Sequence, residues 1–317
     1  MNVQAVTVTL NPAIDQTVHL ERLRPGQVHR ARDSRQDAGG KGINVAACLA
    51  DWGVPVAALG VLGAGNAGVF EALFAERAID DGCLRAPGDT RTNIKLVDDA
   101  GGATTDINLP GLRLSVAELD AVAARLASLL RPGMPVVLSG SLPAGLGADA
   151  WARLQAQAAA AGAAVLLDTS GTPLAAALAA PAGALPWAVK PNRQELEAIT
   201  GTALSDRAAL LAAARELLAR GIGLVAISLG EDGALFVDAG GALLARPSRL
   251  ARGSSVGAGD AMVAGIAAAR LRGADLEACA RLATAFSLSR LDSGAARRID
   301  PAQVRTLATQ VLIERLH

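Results

Sequence analysis

PVVLSGSLPAGLGADAWARLQAQAAAAGAAVLLD, Pro135 to Asp168, decides how the chain folds. Its ends are short, continuous apolar runs, Pro135–Ser139 and Ala163–Asp168. Between them, Ala148–Ala160 carries alanine, leucine and tryptophan in a helical pattern. Two such runs joined by a helix predict a strand–helix–strand unit with parallel strands. Runs that are apolar throughout, not at alternate positions, fit strands covered on both faces. The rhythm extends both ways. Val3–Leu10, Val54–Leu62, Trp187–Lys190 and Leu224–Ser228 read as further strands; Gly42–Asp51, Ala67–Ile79, Val116–Leu130 and Ala208–Arg220 read as helices. The expected fold is α/β, a mostly parallel sheet sandwiched by helices. After Gly257 the chain reads as almost wholly helical to His317.

Two segments break the rhythm. HLERLRPGQVHRARDSRQD, His19 to Asp37, is polar and arginine-rich. RTNIKLVDDAGGATTDINL, Arg91 to Leu109, alternates with period two around a turn at Asp98–Gly102. Residues of about 16–37 and 91–110 are therefore expected to form strands outside the main sheet. They read either as an edge meander or as a lid over the carboxyl ends of the parallel strands, where open α/β sheets bind ligands. With no repeat and no linker, residues 1–317 are expected to make one domain.

Composition narrows the partners. Thirty basic residues balance thirty acidic ones, so no net field favours nucleic acid or an acidic membrane. Aromatic residues make up only 2% and tyrosine is absent, which disfavours a base-stacking surface. The three cysteines are far apart and read as buried thiols of a reducing cytoplasm. The three histidines show no zinc spacing. MNVQAVTVTLNPAID reads as a strand and not as a signal peptide, and the apolar run from Leu174 holds two prolines, a poor membrane span. A cytoplasmic chain is expected.

Several motifs invite a chemical reading. Gly63–Gly68 matches G-x-G-x-x-G after a strand, but the acidic residue a dinucleotide site needs about 20 residues later is missing. Asp80 and Asp81 come too early, and a tight strand–helix turn is favoured. Gly39-Gly40-Lys41-Gly42 lacks the P-loop spacing; it reads equally as a plain turn and as a ligand site whose Lys41 meets a phosphate. Asn192-x-x-Glu195 after Lys190 reads first as a capping box, like Ser115-x-x-Glu118. At a strand end it also suits Mg²⁺ and a triphosphate. Asp15 and Asp168 follow or end strands and suit sugar hydroxyls as well as solvated turns.

GSSVGAGDAMVAG, Gly253 to Gly265, is the sharpest of these segments. Backbone amides at a helix start favour an anion, yet Asp260 adds a negative charge there. A cap alone does not need Gly-Ala-Gly before it. The combination makes sense if Asp260 accepts a proton from a nucleophile while the amides of Gly257, Ala258, Gly259 and Asp260 hold charge on a phosphoryl group in transfer.

Taken in order, these segments resemble the PfkB (ribokinase-like) carbohydrate kinases. The family's two signatures stand here as DAGGKGINVA and SSVGAGDAMVAG. TLNPAID, SGSLPAG, VKPNRQELEAITG and ISLGEDGALFV extend the resemblance over essentially the whole chain. Within the family, TLNPAID, AGGKGINVA, TRTNIKLVD and VGAGDAMVAG are most similar to the branch acting on fructose 1-phosphate. Kinases of tagatose 6-phosphate and fructose 6-phosphate share much of the set. His29 in GQVHRA and Leu109 in DINLPG depart from the pattern, both on the sugar side.

The resemblance implies a parallel-sheet sandwich with a small β-sheet lid, ATP and Mg²⁺, a phosphorylated ketohexose substrate, and a homodimer paired through the lids. It implies that Asp260 is the general base and that the backbone of Gly257, Ala258, Gly259 and Asp260 is the anion hole. Asp15, Gly40 and Asn44 would hold the sugar; Lys41 and Arg91 would take its phosphate, with Arg30 and Ser139 as weaker candidates. Lys190, Asn192, Glu195, Ser228, Gly230, Gly233, Ser255 and Val256 would serve the nucleotide, with Glu195 reaching Mg²⁺ through water. A silent sugar or nucleotide sensor is the alternative from another class; the presence of Asp260, Asn192 and Glu195 together weighs against it.

Overall fold

The computed structural model describes residues 2–249, 257–293 and 298–316. Fifteen strands and ten α-helices are assigned within them. The strands are β1 Ala5–Thr9, β2 Ala13–Leu20, β3 Asp33–Gly39, β4 Val56–Gly63, β5 Asp80–Asp81, β6 Leu84–Ala86, β7 Thr92–Asp98 and β8 Ala103–Asn108. After them come β9 Pro135–Ser139, β10 Ala164–Asp168, β11 Ala188–Val189, β12 Leu224–Ser228, β13 Ala234–Asp238, β14 Gly241–Arg246 and β15 Leu312–Leu316. The helices are α1 Lys41–Asp51, α2 Gly68–Arg77, α3 Val116–Ala127, α4 Ala150–Ala160, α5 Gly171–Leu178, α6 Arg193–Thr200, α7 Arg207–Ala219, α8 Ala258–Leu271, α9 Leu276–Ser293 and α10 Pro301–Gln310.

The main sheet runs in the order β15-β14-β13-β12-β11-β10-β9-β1-β4-β5, with β6 also on β4. Its centre is parallel, as the apolar runs predict; β12 to β15 pair antiparallel. Side chains alternate between two cores. Val137 and Leu166 pack with α1, α2, α8, α9 and α10. Val136, Leu138, Val165 and Leu167 pack with α3 to α7. Such a strand buries every residue, which is why it reads as a continuous apolar run.

The carboxyl-terminal stretch is not all helix. Leu312–Leu316 is a strand that closes the sheet edge against β14, with Ala242 opposite Leu316 and Arg246 opposite Leu312. Its sequence, LIERL, is too short for a period to separate strand from helix. The β14 edge supplies the backbone partners that decide it.

A four-stranded sheet, β3-β2-β7-β8, stands apart from the main one. The two segments expected outside the main sheet both lie in it, while residues 21–32 connect β2 to β3 without a strand. Three residues separate β1 from β2, and Gly40 alone separates β3 from α1. The small sheet therefore grows from the carboxyl-terminal rim of the parallel strands. Gly40 makes the joint: its φ is 112°, and a Cβ there would lie 3.0 Å from Pro12 Cα and Thr9 Cγ2. No other residue fits that backbone and that space.

The G-x-G-x-x-G match is a packed turn. A Cβ on Gly63 would fall 2.2 Å from the Thr90 nitrogen. Asn66 bonds both the N–H and the carbonyl of Thr90. The chain at Asp89–Thr90 occupies the space a pyrophosphate would need. Among the described residues no helix is long and apolar enough to cross a membrane.

Candidate active site

Parallel topology brings the ends of β9, β10, β11 and β12 to one rim, and α1 and α8 begin there. Asp168, the last residue of β10, is 1% exposed and takes two lysines. Lys41, first in α1, donates to both its oxygens at 3.3 Å. The Lys190 ammonium, just past β11, lies 3.3 Å from Oδ1. Burial alone pushes the Asp168 carboxyl up, but the two ammonium groups overcome it and leave its pKa below the usual value. Asp168 is thus an ionised anchor for cations, not a free acceptor for sugar hydroxyls.

Asp260 sits in the first turn of α8, 7% exposed. Its Oδ2 accepts from the Asn44 side chain at 2.8 Å. Asn44 is one turn along α1 from Lys41, so the two point the same way. Burial first, then the charge of Asp168, push the Asp260 carboxyl up to about 6; Asn44, Lys41 and Lys190 pull it back. A carboxylate that titrates there can accept a proton at neutral pH and is more basic than an exposed aspartate.

The start of α8 supplies donors beside it. Gly257 is the N-cap, at φ 80°, with no side chain capping the helix. The first helical bond runs from the Ala261 N–H to the Gly257 carbonyl. The N–H groups of Ala258, Gly259 and Asp260 precede it and point out of the helix. A Cβ on Gly259 would lie 3.5 Å from Lys190 Nζ, so positive charge stands at the same place. Ser255 and Val256 lie outside the described residues.

Next to this cluster is the start of α6. Asn192 and Glu195 form a complete capping box: Asn192 Oδ1 accepts from the Glu195 N–H, and Glu195 Oε2 accepts from the Asn192 N–H, each at 2.8 Å. Ser115 and Glu118 form the same device on α3. The two differ in place: Asn192 bridges to Ser228 at the end of β12, and Glu195, with Asp168 and Asp260, raises the pKa of Lys41 against the effect of burial. Gly230 has φ 64° and open space around it. Gly233 answers to packing, since its Cβ would lie 2.1 Å from the Ala245 carbonyl oxygen on β14.

The small sheet holds a third group. Asp15 on β2 faces Asn93 on β7 in parallel register, and Asn93 donates to Asp15 Oδ1 at 3.1 Å. Burial raises the Asp15 carboxyl, which Asn93, Lys95 and Arg91 oppose. Arg91 is held by the carbonyls of Pro12 and Asn11 at 3.3 Å. Sequence reasoning missed Asn93, although Arg91, Asn93 and Lys95 alternate and so share one strand face.

One expectation changes. Ser139 is fully buried and donates to the Asp168 carbonyl, so it has no surface for a phosphate. Arg30 is exposed on the β2–β3 connection, among the residues that line a hollow there. Lys41 is bound to Asp168 in the field of Asp260 and Glu195, whereas Arg91 stands in the field of Asp15.

The model of the pfkB family carbohydrate kinases matches residues 8–300. The chain belongs to that family. It is 70% identical over 314 residues to a 1-phosphofructokinase of Xanthomonas campestris pv. campestris, covering 99% of each chain. It is 48% identical to a 1-phosphofructokinase of Rhodobacter capsulatus, covering 100% of this chain and 99% of the relative. Phosphofructokinase-2 from Escherichia coli, solved in complex with substrates and products, superposes with a TM-score of 0.90 at 28% identity, covering 97% of this chain and 99% of that one. The fold is the one this family shares.

A raised carboxyl that acts as base sets a pH limb. The log of kcat/KM should fall with slope one as pH drops through about 6, and stay level above it while Asp168 remains ionised. A steady-state profile from pH 5 to 8.5 checks this.

Proposed function

We infer that the chain transfers the γ-phosphoryl group of ATP to O6 of fructose 1-phosphate, giving fructose 1,6-bisphosphate and ADP. The observation that carries the chemistry is the buried Asp260 carboxylate, held by Asn44 at the start of α8 with Lys190 beside it. The choice of sugar is supported by the full-length relatives named 1-phosphofructokinase.

Asp15, oriented by Asn93, takes a sugar hydroxyl, and Arg91 takes the phosphate the sugar already carries. Asn44 holds Asp260 while the carboxylate takes the proton of the attacking hydroxyl. The amides of Ala258, Gly259 and Asp260 hold charge on the phosphoryl group in flight, and Lys190 and Lys41 add positive potential from their shared anchor, Asp168. Positioning and charge stabilisation supply most of the acceleration in such transfers. Ser228, Gly230 and Asn192 line the nucleotide side. A partner copy sits on the small sheet, where Ile107 is 43% and Leu109 40% exposed.

Among the described residues no three carboxylates, histidines or cysteines cluster as a metal cage. Mg²⁺ keeps several waters and is held mainly by substrate phosphates. Glu195 would meet it through water; the ion, when bound, shields the phosphate oxygens. Glu195→Gln should keep the capping box, because an amide oxygen still accepts from the Asn192 N–H. Lost charge should raise the half-saturating Mg²⁺ concentration about 10-fold, read by titrating Mg²⁺ at fixed ATP with melting temperature as control.

The deciding experiment measures ADP release with fructose 1-phosphate, fructose 6-phosphate, tagatose 6-phosphate, ribose and adenosine. The highest kcat/KM is expected for fructose 1-phosphate. Turnover of ribose alone would overturn the role of Arg91.

A further inference from the structure

We infer that Ser287 on α9 is a positioning residue for phosphoryl transfer: its hydroxyl fixes and polarises the peptide that presents the Gly259 N–H at the start of α8. The inference rests on the kinase reading above.

Ser287 is 9% exposed, and its Oγ donates to the Ala258 carbonyl at 2.8 Å. That oxygen and the Gly259 N–H are opposite ends of one planar peptide unit. A donor at the oxygen draws electron density along the unit, which makes the N–H a stronger donor, and it stops the plane from tilting. A helical serine commonly bonds a carbonyl of its own preceding turn. Ser287 instead reaches across to a neighbouring helix, at a turn whose N–H groups face the reaction.

The surroundings reinforce that geometry. One turn further along α9, Arg290 carbons lie 3.7 Å from where a Cβ on Gly257 would sit. Further along α8, a Cβ on Gly265 would fall 2.6 Å from Ala283 Cα, so the two helices touch backbone to backbone. α8 has no slack with which to replace the missing bond by a shift. The Lys190 ammonium also stands close, 3.5 Å from where a Cβ on Gly259 would sit. The unit is thus held at its oxygen by the hydroxyl, with positive charge close to Gly259.

The test uses the full chain with Ser287→Ala and Ser287→Thr. Removing an anion-hole donor outright costs about 10²–10³ in kcat. Loosening one should cost less, so Ser287→Ala is expected to lower kcat about 10-fold, some 1.4 kcal/mol. KM for both substrates and the Kd for ADP should stay within about twofold. Inhibition by MgADP with aluminium fluoride, a planar mimic of the moving group, should weaken in step with kcat. Ser287→Thr keeps the hydroxyl and should restore both. A purely structural role would instead lower the melting temperature or ADP affinity and leave the mimic's relative affinity unchanged. Wild-type kcat and wild-type fluoride inhibition in Ser287→Ala would overturn the inference, as would a kcat loss matched by an equal loss of ADP binding. Asp260→Asn runs alongside: if that variant loses activity while Ser287→Ala keeps wild-type kcat and wild-type fluoride inhibition, only this inference fails. An inactive wild-type chain would sink the kinase reading itself.

Discussion

Asp260→Asn should lower kcat by about 10²–10⁴ while KM changes far less, because the lost interaction is proton acceptance in the transition state and not substrate binding. The amide is isosteric and can still meet Asn44, so the site keeps its shape. Folding should not suffer. The Asp260 pKa lies above its usual value of 3.8, at about 6, so ionisation disfavours the fold. The group's contribution to stability is full below pH 3.8 and is lost as pH rises through about 6. At pH 7.5 a neutral amide removes a buried charge, and the variant should melt at or above the wild-type temperature. Steady-state kinetics and thermal unfolding at that pH check both halves. A near-wild-type kcat would remove Asp260 from the base role.

Asp168→Asn should damage stability and activity together. Its carboxylate neutralises two ammonium groups, and Lys190 is only 8% exposed. Removing one partner of a buried pair leaves an uncompensated charge and typically costs about 3–5 kcal/mol. Urea unfolding at pH 7.5 should show that loss. Lys41, 39% exposed, can turn to water and softens the effect. With their anchor gone, the lysines no longer stand at the site proposed for phosphoryl transfer, and kcat should fall about 10²-fold. A signature separates this from general damage. Asp168 raises the Asp260 pKa by its charge, so without it the acid limb of kcat/KM should move below pH 6. A limb that stays put would mean the two carboxylates do not interact.

Much of this was legible in the chain itself. Pro135–Ser139 and Leu224–Ser228 stand with the boundaries the sequence predicts, since each is apolar throughout and flanked by glycine or proline. The alternation in Arg91–Leu109 placed two strands outside the main sheet, and they are there. The LIERL strand was not legible, because its partner is an edge about 70 residues away in sequence. Asp260 stood out for a local reason: a carboxylate among glycines at a helix start contradicts simple anion binding and demands explanation.

The sequence by itself determined the layered α/β fold and singled out Asp260 as the candidate base. Period and turn chemistry are local, and a family resemblance rests on ordered motifs. Only tertiary structure decided how the charges pair. Lys41 and Asp168 are 127 residues apart, Asn44 and Asp260 are 216 apart, and no pattern along the chain couples them. Parallel strands deliver their ends to one rim, and burial there strengthens each interaction. That is why Lys41 pairs with Asp168, and why Asp260 titrates near 6 and not near 3.8.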